Sequence, residues 1–353
     1  MLVRKVGFVD KILPAANALV SVPRKVTERS TKLTLKLLGG TPMPRPRLLA
    51  ELVATILFAL WAQAAAAQTK IVIGYTATAD FASGFIALDQ GLFKQRGLDV
   101  EFKLVPLNSQ LPAAVQSESI TFGGTTVSVL LQAVDGGLEH VAIAGSGVTW
   151  KGQDSFGAVM RADLTYAKPE DFIGKKVGAP GIGAFLQVLF RNWLLDNGVD
   201  YKKVTFVEVG FPQMADVLKG GNVDAVVTGE PVMGRIVAGG IGKQVTSFTD
   251  NLKSELPIIV YSSTRKWAEA NRAAVKAFRE AIAEGAAIAN KDQAAVRAAV
   301  ANYIKMPPEV IAGMKLGRWQ AAVTEAGIAG WVDIMKRQDM LRSAIDAKTI
   351  IAP

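Results

Sequence analysis

The segment Asp216-Val-Leu-Lys-Gly-Gly-Asn-Val-Asp-Ala-Val-Val-Thr-Gly-Glu-Pro231 carries several structural signals in a short span. A short helix over 214–219 stops at the Gly220-Gly221 pair. The apolar run Ala225-Val-Val-Thr228 follows as a strand. Pro231 then opens another helix in its first turn, where a missing N–H is no loss. Helix, turn, strand and helix in such close succession mark an α/β layer, with helices covering a mostly parallel sheet.

The same rhythm extends in both directions. Upstream, 176–178 reads as a strand, 183–197 as a helix and 204–208 as a strand. Further back come a strand at 70–74, a helix at 85–96 stopped by Gly97, and an alternating strand at 100–104. Strand and helix follow at 120–122 and 125–134, then a buried strand at 140–144. Downstream, 257–261 is extended. After Thr264 the pattern is helical, with Val275, Phe278, Ile282 and Ile288 on one face and Lys276, Arg279, Glu280 and Glu284 outside. The layout is α/β, α/β and a helical tail, with no fixed-period repeat.

The 353 residues favour two lobes over one domain. The net charge of +9 is unevenly placed. Ten of the 40 Lys/Arg and three of the 31 Asp/Glu fall in residues 1–67, a net +7. That leaves 30 and 28 in residues 68–353, a net +2, so the folded body lacks the basic footprint of a nucleic-acid binder. The chain has no cysteine, which excludes disulfides, thiolate metal sites, iron–sulfur clusters, cysteine nucleophiles and a lipoprotein anchor. Its single histidine, His140, reads as a polar residue at the mouth of a strand rather than as a ligand or base. No metal or cofactor is expected.

Arg45 and Arg47 precede the apolar run from Leu48 to Leu60, and an Ala-rich segment ends at Ala67. A basic start, a short apolar core and small residues at the end are the parts of a secretory signal peptide, with cleavage near Ala67/Gln68. The run is short for a membrane span and holds Glu51. Residues 43–67 are therefore expected to be the signal peptide, with Met43 a natural start. Residues 1–42 are then an upstream extension, disordered or the product of a misassigned start. Finding Met1 by N-terminal sequencing of the precursor would remove that expectation.

Four segments together resemble one family: the periplasmic substrate-binding proteins of ABC importers, of the nitrate/sulfonate/taurine type, within the pyrimidine-synthase-like superfamily. They are Ile86-Ala-Leu-Asp-Gln-Gly-Leu-Phe-Lys-Gln-Arg-Gly-Leu-Asp-Val-Glu101, Ala113-Ala-Val-Gln-Ser-Glu-Ser-Ile-Thr-Phe-Gly-Gly124, Asp171-Phe-Ile-Gly-Lys-Lys-Val-Gly-Ala-Pro-Gly-Ile-Gly183 and the opening segment, 216–231. The second departs from the family pattern at Thr121, usually Asp, and Glu118, often Gly. The resemblance implies a two-lobed type II periplasmic-binding-protein clamshell, each lobe a mostly parallel sheet flanked by helices. Lobe one would combine 69–162 with 260–353, and lobe two would be 163–259. The hinge crossings would lie near 161–163 and 256–261, and ligand would close the cleft by hinge bending.

In open α/β sheets ligands sit beyond the carboxyl ends of the strands. Four such ends stand out: 76–81, 123–126, 180–184 and 228–231. Helix N-termini there present unpaired N–H groups suited to an anion, and the glycines admit close backbone approach. The candidate ligand-binding residues are Thr78, Asp80, Phe81, Gly124, Thr125, Thr126, Gly183, Ala184, Phe185 and Glu230. The glycine pairs also fit plain tight turns, and Phe185 also fits helix packing. Glu230 either accepts from a ligand amine or hydroxyl or braces the hinge. Trp193, Trp267, Trp319 and Trp331 read as packing residues, while Trp150 is placed near the cleft.

The expected function is capture of a small anionic or zwitterionic solute, of the sulfonate, nitrate or taurine kind. The chain would act as a periplasmic monomer that partners an ABC permease and its ATPase. The alternatives are a periplasmic sensing module for a membrane receptor, and a pyrimidine-precursor binding or biosynthesis relative. The related synthase relies on a Cys-rich segment and histidine, which a chain with no cysteine and one histidine cannot supply.

Overall fold

The computed structural model describes residues 68–353. The signal peptide and the upstream extension lie outside the described residues. The chain runs through β1 (Thr69–Tyr75), α1 (Ala82–Asp89), β2 (Leu98–Leu104), α2 (Leu111–Gln116), β3 (Phe122–Thr126), α3 (Val127–Asp135), β4 (His140–Gly145) and β5 (Gly147–Thr149). It continues through β6 (Phe156–Arg161), β7 (Lys176–Ala179), α4 (Phe185–Asp196), β8 (Thr205–Glu208), α5 (Met214–Lys219), β9 (Ala225–Gly229), α6 (Val232–Ala238) and β10 (Gly242–Thr246). It ends with β11 (Leu256–Pro257), β12 (Ile259–Thr264), α7 (Arg265–Ala270), α8 (Arg272–Lys291), α9 (Gln293–Tyr303), α10 (Pro308–Gly313), β13 (Arg318–Trp319) and α11 (Glu325–Lys336).

Two five-stranded sheets form two lobes, in the orders β2-β1-β3-β12-β4 and β10-β6-β9-β7-β8. In the first, β12 is antiparallel to both of its neighbours, while β2, β1 and β3 run parallel. In the second, β6 is antiparallel to β9 and β10, while β8, β7 and β9 run parallel. The reversed strand of each sheet is the one the chain enters after crossing from the other lobe. Strands β3, β4 and β9 are buried along their whole length, as expected for strands covered on both faces.

One boundary expected from sequence needs correction. Residues 156–161 belong to the second sheet, in register with β9 and flanked by β10. The first crossing therefore falls at 147–155, not at 161–163. An apolar strand buried on both faces carries no mark of which sheet it joins. The returning segment, β11, pairs antiparallel with β5, and β13 pairs with β5's other edge. The two crossings thus lie side by side as a small three-stranded sheet. Trp331 of α11 is fully buried, and its Nε1–H donates to the Pro257 carbonyl of β11 at 2.8 Å.

Helix α8 buries Val275, Phe278 and Ile282 against the first sheet, as its periodicity requires. Ile288 is only partly buried. Arg279 departs from the expected outer face: its guanidinium bends inward to the carbonyls of Ile143 and Ala352, each at 2.6 Å. Glu118 sits at φ +57°, the left-handed conformation in which glycine is at home, which accounts for the family's frequent Gly there. Thr121 stays structural: its hydroxyl accepts from the Val72 N–H at 3.1 Å.

Gly285 marks the closest approach of α8 to α1, since a Cβ there would lie 2.2 Å from the Ser83 carbonyl oxygen. Alanine is favoured over glycine in a helix interior by about 1 kcal/mol. Prising two packed helices apart costs about 1–3 kcal/mol, so the contact wins. Gly285→Ala is expected to lower stability in denaturant melts. A neutral or stabilising result would mean the helices are not held at this separation.

Candidate functional site

Carboxyl ends of strands from both sheets converge on one cavity at the crossing. Thr76, Thr78, Ala79 and Asp80 reach it from the end of β1. Asn108 follows β2 and Thr126 ends β3. The second lobe contributes Phe156 of β6, Pro180, Ala184 and Phe185 after β7, Phe211 after β8, and Gly229 and Glu230 at the end of β9. Lys315, Gly317 and Trp319 close it from the C-terminal segment. The cavity encloses about 40 Å³, which suits a compact solute.

The first-lobe wall is shaped by local capping. Thr78 Oγ1 accepts from the Asp80 N–H at 3.1 Å, and its hydroxyl donates to the Asp80 carboxylate. Burial pushes the Asp80 carboxyl above its ordinary range, and the Thr78 bond opposes this. A Cβ at Gly147 would lie 2.8 Å from Asp80 Oδ1, so glycine there makes room for the carboxylate. Asn108 Oδ1 accepts from the Thr126 N–H at 3.0 Å, and its Nδ2 donates to the Gly124 carbonyl at 3.2 Å. One buried amide side chain therefore fixes the end of β3.

Several hydrogen bonds join the lobes here, among them one from the Ser109 hydroxyl to Glu208 Oε1 at 2.8 Å. The Ala79 N–H donates to the Glu230 carbonyl at 3.1 Å, and the Asn108 N–H donates to the Pro180 carbonyl at 3.2 Å. The Gln132 side chain donates to the Gly183 carbonyl at 2.9 Å. Behind them, Arg337 just past α11 reaches Asn192 and Asp196 of α4 at 2.9 and 2.8 Å. The cleft is closed.

Glu230 is a second perturbed acid in the site. It is 5% exposed, and the Gly234 N–H donates to its Oε2 at 3.2 Å. Burial pushes its carboxyl up from an ordinary 4.5 to about 7; the Gly234 N–H and the nearby Lys315 oppose this, and Asp154 adds to it. Lys315 Nζ is itself 2.9 Å from Asp154 Oδ2. Among the described residues no arginine lines the cavity.

Thr78, Asp80, Thr126, Ala184, Phe185 and Glu230, expected from sequence, all line this cavity. The other four candidates do not. Phe81 is fully buried, edge-on to Tyr75 and Tyr261 with ring centroids 5.9 and 6.2 Å apart. Gly124 is small because a Cβ would lie 2.2 Å from the Phe81 ring, not because a ligand approaches. Thr125 points to the opposite face of β3 from Thr126, as strand alternation demands, and its hydroxyl shares a 2.8 Å bond with Ser262. Gly183, at φ +76°, donates its N–H to Gln187 Oε1 at 2.6 Å.

Asn108 and Phe211 were not anticipated, although the strand-end rule also covers the ends of β2 and β8. Lys315 and Trp319 carried no local signal. Trp319, read as a packing residue, lines the cavity with its Nε1–H unpartnered among the described residues. Trp150 instead packs under the Arg318 guanidinium, 4.2 Å from the ring centroid. His140 is 1% exposed, with Nε2 3.2 Å from Gln116 Oε1.

Two lobes joined by paired crossing strands, with a cavity at the facing strand ends, define a periplasmic-binding-protein fold. The chain belongs to the NMT1/THI5-like family, whose model matches residues 78–295. Among solved structures it is similar to the alkanesulfonate-binding protein SsuA from Xanthomonas axonopodis pv. citri bound to MOPS, at 18% identity over 80% of this chain and 98% of that one, with a TM-score of 0.68. The periplasmic aliphatic sulphonate-binding protein SsuA from Escherichia coli matches at 18% identity, 80% and 97% coverage and a TM-score of 0.64. The periplasmic nitrate-binding protein NrtA from Synechocystis PCC 6803 matches at 18%, 80% and 84%, with 0.67. No curated protein matches in sequence.

The raised Glu230 carboxyl has a stability consequence. Between the unfolded value of 4.5 and the folded value of about 7, the folded state holds the extra proton, so stability falls as pH rises through that window. Above it the loss reaches about 3 kcal/mol, at about 1.4 kcal/mol per unit. Glu230→Gln is expected to flatten this slope and to be more stable than wild type in denaturant melts above neutral pH. Parallel pH profiles for the two proteins would contradict the assignment.

Proposed function

We propose that this chain is the extracytoplasmic solute-binding component of an ABC importer. It captures a small solute between its lobes and presents the closed form to a permease driven by an ATPase. Export by the 43–67 signal sequence would place it in the periplasm. The observation that carries the reading is the cavity itself, walled by the strand ends of both lobes and ringed by the Ala79–Glu230, Asn108–Pro180 and Gln132–Gly183 contacts. A solute held there touches both lobes at once, so it favours the closed arrangement by its differential contacts. The paired β5 and β11 crossings form the joint about which the lobes would rotate. The family model and the transport-system binding proteins among the solved neighbours support the same reading.

The test is thermal unfolding of the purified protein against sulfonates, nitrate, carboxylates, amines and nitrogen heterocycles. A solute at 100 times its dissociation constant adds about 2.7 kcal/mol. For a body of this size the midpoint rises by roughly 2–4 °C for each kcal/mol. A shift for one chemical class, with no turnover of the compound, is the expected result. Chemical conversion of the bound compound would contradict it.

A further inference from the structure

The charge of the cleft points away from the ligands of its solved neighbours. Resting on the solute-binding reading above, we propose that this site takes a compact nitrogenous cation, a protonated amine or amidinium on a small apolar body, held between Asp80 and Glu230.

Asp80 and Glu230 both line one small cavity, and the backbone link from Ala79 to Glu230 keeps them together. Glu230 is 5% exposed, and its carboxylate accepts from the Gly234 N–H at Oε2 and lies beside the Lys315 backbone N–H. These backbone donors leave acceptor capacity on the carboxylate for a ligand N–H. Among the described residues the one lining cation, Lys315, is engaged by Asp154 at 2.9 Å and lies 3.4 Å from Gln244 Oε1. An anion entering here meets two acids and a cation that is already paired.

The amides just before both helix starts are taken by the protein itself, which leaves only the first-turn N–H groups, such as those of Phe185 and Leu186, for an anion. At the start of α4, the Gly183 N–H goes to Gln187 and the Ile182 N–H to Glu208. At the start of α3, the Thr126 N–H goes to Asn108, and the Val127 N–H goes to the Ile258 carbonyl. The remaining lining is apolar or aromatic, with Phe156, Phe185, Phe211 and Trp319 suited to a small ring or alkyl body. Trp319 Nε1–H offers one donor to an acceptor elsewhere on the ligand.

The experiment is calorimetric titration of the purified protein with four compounds of one shape: benzamidinium, benzamide, benzoate and benzenesulfonate. Benzamidinium is expected to bind at least tenfold tighter than either anion. Glu230→Gln and Asp80→Asn, each checked for a cooperative melt, are expected to weaken benzamidinium at least tenfold and to leave benzamide nearly unchanged. Glu230 faces Lys315 and Asp154, with Asp80 across the cavity, and ionises near neutrality. Benzamidinium affinity should therefore rise by up to about tenfold per pH unit below that range and level off above it. Tighter binding of benzoate or benzenesulfonate overturns the cation class while leaving a solute-binding protein. Equal affinity for all four, unchanged cation binding in both variants, or no binding by any of the four also overturns it. Silence across the wider solute panel as well would remove the solute-binding reading too.

Discussion

The hydrogen bond from the Ala79 amide to the Glu230 carbonyl ties the first lobe to the second at the cavity wall. The site is organised around this point. Ala79 stands there because β1 ends in a turn capped by Thr78, and Glu230 because β9 ends just before α6. The strand ends of both sheets must therefore face one another. The paired β5 and β11 crossings permit that facing, because each lobe receives its reversed strand straight from the crossing. A cavity at the junction follows from the topology.

Enclosing carboxylates between two lobes removes water from them, and an isolated buried charge is expensive. The protein meets this in two ways. Asp80 is bonded by the Thr78 hydroxyl, and Glu230 holds its proton up to about neutral pH. Among the described residues neither carboxyl is matched by an arginine in the lining, and the one lysine is shared with Asp154. The cavity thus holds acceptor capacity that a bound donor would satisfy. The sulfonate-binding and nitrate-binding proteins among the solved neighbours share the backbone arrangement at 18% identity, a level at which the fold carries over and the lining need not.

Much of the fold was legible because its signals are local. Gly220-Gly221 ends a helix, Val226 and Val227 sit in a buried strand, and Val275, Phe278 and Ile282 repeat at helical spacing. The strand-end rule reached Asp80, Thr126 and Glu230 for the same reason. It erred where packing is non-local. Gly124 and Phe81 fill one another's space, so a glycine that looked ready for a ligand is a packing partner. Thr125 and Thr126 are adjacent in sequence yet face opposite sides of β3. Phe156–Arg161 joined the unexpected sheet, since its partners lie about 70–90 residues away in the chain. Lys315 and Trp319 arrive from a tail whose path over the cleft no short motif records.

The central claim is that one small solute, bridging Asp80 and Glu230, holds the two lobes closed. Small-angle X-ray scattering of the protein, alone and saturated with its tightest-binding solute, tests this most directly. The account predicts a smaller radius of gyration in the bound form, and loss of that contraction in Glu230→Gln under the same conditions. An identical radius with the site demonstrably full would contradict it, because the cleft would then be a fixed pocket rather than a closing one.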